Sequence, residues 1–271
     1  MLDFSRRIPH DSRVTWLLVA LVGAVVGATF GVFGAGGSAF ATPLLALIGV
    51  PAPVAVASPL AAMLPSSVIG AREYHRVGLL DRRVAMLAVL AGVPAVLAGA
   101  ALSRLVGGSI LLLLSGVLLL AVGARMLWPA PSPVLASTAS RMDAQATPKR
   151  MGEGLVVGLV AAAAFVAGLL ANGGGLLLVP IFVLALGLSA AQAAGTSMVA
   201  VAALTVPTLV AHATLGHVDW VVAGAFALGM IPASLVGARL GRHLPDAVAR
   251  RAFGAVLVSF SICFLALRVV G

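Results

Sequence analysis

The sequence predicts an all-α integral membrane protein built from two internal repeats, each of about five helical segments that include one short, broken helix. Three observations carry this reading. Of 271 residues, 61% are hydrophobic and 9% charged, with a mean hydropathy of +1.15; a soluble domain with so little charge could not cover its surface. The apolar runs are continuous rather than alternating, which excludes barrel strands. Two glycine-rich breaks interrupt them, Gly34-Ala35-Gly36-Gly37 ahead of Pro43 and Asn172-Gly173-Gly174-Gly175 ahead of Pro180.

Residues 1–13 read as a basic leader with Arg6, Arg7 and Arg13. No small-residue cleavage site ends the apolar run behind it, so that run reads as a first membrane helix and not a secretory signal. The run covers 14–33, long enough to span, and carries Gly23, Gly27 and Gly31 as a stripe on which another helix can pack closely. After the first break, 38–48 is about two-thirds of a full crossing. A third segment covers 53–71, with Ser58-Pro59 near its start and Pro65-Ser66-Ser67 inside it, and a charged loop from Arg72 to Arg83 follows. Spans at 84–102 and 109–127 complete the first half. Residues 129–150 are polar and proline-rich, a linker by composition, and 151–271 form the second half.

The second half repeats the punctuation of the first. Gly216 and Asp219 stand 138 residues after Gly78 and Asp81, and Pro232, Gly237, Arg242 and Gly254 stand at the same distance from Pro94, Gly99, Arg104 and Gly116. Thr196-Ser197 falls on Ser58-Pro59. The breaks align at 137, so one residue is inserted before Gly187.

These marks resemble the TauE/SafE sulfite exporter family over nearly the whole chain outside the leader and linker. The matching features are the glycine run ahead of a proline, Thr196-Ser197, and a loop of Gly, two residues and Asp in each half. The chain departs from the pattern at Ser38, where the second run has Gly175, at Pro59, and in lacking a glycine after Pro94 and Pro232. The resemblance implies secondary transport, by export, of a small anion such as sulfite or an organosulfonate across a bacterial-type inner membrane.

The residues supply a chemistry for that. Consecutive glycines do not hold a helix, proline removes an amide donor, and lipid cannot satisfy the groups so freed. A break repeated in corresponding places points to a transport site between two halves. A helix starting inside the membrane aims free amides and the positive end of its dipole at an anion. The candidate substrate-binding residues are Gly36, Gly37, Ser38, Ser58, Asn172, Gly173, Gly174, Gly175, Thr196 and Ser197, with His212 the candidate for proton coupling. The competing reading for the glycines is close packing alone. No cofactor, metal or catalytic cluster is expected, so the chain does not read as an enzyme. A passive anion channel and a non-transport assembly factor are the alternatives.

The net charge of +9 comes mostly from arginine, without the aromatic interleaving of a nucleic-acid surface. Lipid and a small anion are the expected partners, no nucleic acid is, and a homodimer stays open. Arginines crowd the loop at 72–83 but not its copy, and crowd 239–251 where the early copy has only Arg104. That opposition favours halves inserted in opposite senses, five crossings each, at the cost of placing Arg6, Arg7 and Arg13 outside. Four plus four with re-entrant short segments is the alternative.

Overall fold

The computed structural model describes residues 13–34, 37–103, 108–128, 153–169, 175–184 and 186–270. The leader up to residue 12, the linker, and the candidates Gly36, Asn172, Gly173 and Gly174 lie outside the described residues.

Ten helices occur among the described residues: α1 (Arg13–Phe33), α2 (Gly37–Leu47), α3 (Ala52–Arg76), α4 (Arg82–Ser103), α5 (Gly108–Leu127), α6 (Glu153–Leu169), α7 (Gly175–Leu184), α8 (Ala190–Thr214), α9 (Trp220–Gly241) and α10 (Asp246–Val270). Five contain segments long and apolar enough to cross a membrane, namely α1, α3, α4, α8 and α9. α2 and α7 are short, at 11 and 10 residues, and each holds its proline. Leucines at 17, 21, 90 and 228 point outward, as a lipid-facing surface requires.

α3 and α8 form the centre; 67% and 56% of their apolar windows are buried, more than in the other three spans. They cross antiparallel, with Gly70 beside Met198 and Tyr74 beside Gly195. α1 lies along α9 in the same direction, Gly23 against Phe226, Gly27 against Met230 and Gly31 against Ser234. A Cβ at any of those glycines would run into the α9 backbone, so the stripe is needed for this approach. α4 and α6 are likewise parallel, Gly92 facing Ala164 and Gly168 facing Val96. α5 packs on α10, α2 on α3 and α7 on α8.

α3 ends where a glycine takes the left-handed conformation, Gly78 at φ +72°, and α8 does so at Gly216, φ +70°. The Leu79 N–H returns to Tyr74 O and the His217 N–H to His212 O, both at 3.0 Å. The turn closing α2 runs from the Val50 N–H to Leu45 O, whereas that closing α7 runs from Leu188 to Phe182. The second turn is one residue wider, at the place where the sequence spacing changes from 137 to 138. One expected boundary is corrected: Arg72, Glu73, Tyr74, His75 and Arg76 are the last turns of α3 and not a loop. These residues hold a helix well, and Glu73 pairs with Arg76 three positions on at 3.2 Å.

Candidate functional site

Ser58 on α3 and Thr196 on α8 are fully buried. Each hydroxyl accepts a backbone hydrogen bond from far along the chain: the Asp219 N–H donates to Ser58 Oγ and the Asp81 N–H to Thr196 Oγ1, both at 3.1 Å. Both aspartates open a helix. Asp81 Oδ1 accepts from the N–H groups of Arg83 and Val84, and Asp219 Oδ1 from those of Val221 and Val222. The N–H of such a residue lies outside the helical ladder and needs an acceptor of its own. The loop aspartate and the small polar residue, separate motifs in the sequence, are thus two sides of one contact, and the contact is made twice.

Ser197 is also fully buried but turns toward the first break. Its hydroxyl faces Gly34 O at 2.8 Å and Ala194 O at 2.9 Å. Tyr74, from α3, places its hydroxyl 3.1 Å from Gly31 O and 3.0 Å from Val32 O. The last carbonyls of α1 lose their helical partners because the chain leaves the helix at Gly34, φ +68°. Side chains of α3 and α8 donate to them instead. Any Cβ at Gly34 would meet the Ala194 backbone. Pro59, at the position matching Ser197, has no hydroxyl to do the same.

Gly37 and Gly175 begin α2 and α7; Ser38 is the second residue of α2, and its side chain lies outside the described residues. The start of α2 follows directly on the Gly34 contact with α8. From its middle at Val179 to Val183 near its end, α7 shares a groove with Val32, Phe33 and Gly241. The start of α2 and the end of α7 therefore lie on one side of the molecule.

That side carries a cluster absent from the sequence reading. The Glu73 carboxylate, nearly buried on α3, lies 3.4 Å from Arg242 Nη1, 3.7 Å from Arg239 Nε and 3.2 Å from Arg76 Nη1. Its signal was available, since Glu73 is the one carboxylate between residues 14 and 80. His212, in the last turn of α8, and His217, in the turn that follows it, bring their Nδ1 atoms to 3.3 Å, so one ring donates and the other accepts. Two further hydroxyls were missed as candidates: Ser66 and Thr205 are fully buried, near the middles of α3 and α8, with no hydrogen-bond partner among the described residues. Leaving such a group unpaired costs about 1–3 kcal/mol.

A family model described as "Sulfite exporter TauE/SafE" matches residues 19–264. A "Probable membrane transporter protein" of Xylella fastidiosa (strain Temecula1 / ATCC 700964) is 30% identical over 245 residues, covering 89% of this chain and 91% of that protein. One from Xylella fastidiosa (strain 9a5c), described in the same words, is 29% identical over 247 residues with the same coverage. No solved structure matches the chain.

Proposed function

The chain belongs to the TauE/SafE sulfite exporter family and is a multi-pass membrane transporter, not an enzyme; from that premise we propose that it exports a small sulfur-containing anion, such as sulfite or an organosulfonate, by alternating access between two inverted repeats. The observation that carries this is the reciprocal contact: Ser58 receives Asp219, and Thr196 receives Asp81. Exchanging the halves turns each bond into the other. The antiparallel crossing of α3 and α8 and the parallel pairs α1–α9 and α4–α6 obey the same exchange, as halves inserted in opposite senses would. α2 and α7 then count as crossings, five per half. Glu73 supports one orientation, because it gathers arginines from the ends of α3 and α9 on one side, which the positive-inside tendency makes cytoplasmic in a bacterial-type inner membrane.

In this reading the starts of α2 and α7 offer backbone amides and positive dipole ends to the anion, with Ser38 and Asn172 adding donors. Glycine at 36, 37, 173, 174 and 175 leaves room for oxygen atoms to reach those amides. Because the start of α2 shares a side with the end of α7, the starts are offset in depth, and the anion meets them in turn. Ser66 and Thr205 lie midway and offer hydroxyls to the passing anion. Ser58, Thr196 and Ser197 brace the moving junctions beside it. The His212–His217 contact is the proposed point of proton coupling.

The test is thermal stabilisation of purified protein by sulfite, thiosulfate, sulfate, sulfoacetate and an uncharged analogue, since a ligand of the folded state raises apparent stability by mass action. Stabilisation by one sulfur oxyanion or sulfonate is expected, with saturable counterflow in liposomes. Flux that never saturates would mark a channel instead. A well-folded protein that answers to none of them overturns the substrate class.

A further inference from the structure

A groove of about 310 Å³ opens on the outer surface between α3, α4 and α8. Its walls are apolar: Val68, Ala71, Leu80, Val199 and Ala202. Its rim is basic: Arg72, His75 and Arg82. The Arg82 Nη2 donates to His75 Nε2 at 3.0 Å, which fixes two of the three groups together. Neither nearby carboxylate neutralises them. Asp81 is turned to the start of α4, where it accepts from Arg83 and Val84, and Glu73 points to the other arginines, Arg76, Arg239 and Arg242.

The surface running away from the rim is apolar and exposed. Below Arg82 on α4, Met86 and Leu90 follow at four-residue spacing, about two-thirds exposed at 67% and 68%. On α8, Val206 and Val210 continue outward-facing from Ala202. A basic head site within the last turns of a membrane-spanning helix, above a greasy track, fits an amphipathic anion. A free dianion such as sulfite has no use for that track.

We propose that this groove seats one anionic phospholipid, its phosphate on Arg72, His75 and Arg82 and an acyl chain along Met86 and Leu90. The positions 138 residues on are Val210, Ala213 and Trp220, so the second half has no counterpart of these three basic residues. The lipid lies against the Asp81–Thr196 contact and clamps α3, α4 and α8 at that junction.

The experiment uses the full chain, purified and delipidated in detergent, with binding followed by native mass spectrometry and thermal stabilisation. The probes are dioctanoyl phosphatidylglycerol, dioctanoyl phosphatidylcholine and inorganic phosphate. One phosphatidylglycerol is expected to bind in preference to phosphatidylcholine, roughly fivefold more weakly for each of Arg72→Ala and Arg82→Ala, and undiminished in Arg125→Ala, an exposed cation on α5. Ala202→Phe, which fills the apolar wall and leaves the rim intact, is expected to abolish the preference and covers the case that the arginine variants fold poorly. Equal binding of the two lipids, equal stabilisation by inorganic phosphate, or a preference that survives both kinds of variant would overturn the proposal.

Discussion

At the scale of single residues, buried hydroxyls divide into those with partners and those without, and the two kinds answer differently to substitution. Removing the Ser197 hydroxyl leaves Gly34 O short of a donor at the end of α1. Ser197→Ala is expected to lower stability by about 1 kcal/mol, read as a fall in melting temperature in detergent. Among the described residues Ser66 has no partner to lose. Ser66→Ala is expected to leave melting unchanged or slightly raised while weakening the response to the transported anion. If both properties stay unchanged, the hydroxyl is a packing residue and the central path lies elsewhere. His212→Gln is expected to fold normally and to flatten the pH dependence of transport, because it removes one ring of the 3.3 Å pair; an unaltered pH profile would remove His212 from the coupling scheme.

At the scale of helices, two glycine substitutions separate packing from propensity. Gly27→Val drives side-chain atoms into the Met230 backbone and is expected to cost about 1–3 kcal/mol or more of stability, or to prevent accumulation of folded protein. Gly224→Ala meets nothing within 4 Å and is expected to be neutral or mildly stabilising. Much of this scale was legible in the sequence. Short helices after the breaks and the repeated loops from Gly78 to Asp81 and from Gly216 to Asp219 are local features, written in residues with strong backbone preferences. The extension of α3 through Arg76 was not legible, because charged residues next to an apolar run read as loop. The pairing of Ser58 with Asp219 was not legible either. Both motifs are visible in the chain, but only the crossing of α3 and α8 brings residues 161 positions apart into one bond.

At the scale of the molecule, the antiparallel crossing of α3 and α8 puts their closing turns at opposite ends. In a Cys263→Ser background, Val77→Cys and Leu215→Cys occupy exposed turn positions. Labelling in intact cells and in inverted vesicles is expected to reach each from opposite sides, residue 77 from the cytoplasm. Both labelled from one side would rule out inverted repeats and return the halves to a parallel arrangement. Arg76, Arg239 and Arg242 around Glu73 tie the ends of α3 and α9 together on the proposed cytoplasmic side. Glu73→Gln is expected to loosen that side most at low ionic strength, where unscreened arginines repel one another.

The embrace of α1 by α9 and of α4 by α6 has a consequence for how the protein is made. α1 leaves the ribosome long before its main partner, α9, has been synthesised, and until then its glycine stripe faces lipid. Such distant pairing is slow to form and leaves intermediates exposed. Early helices must therefore wait in the bilayer, and a newborn chain halted after α5 should be a substrate for membrane quality-control proteases rather than a stable half-molecule.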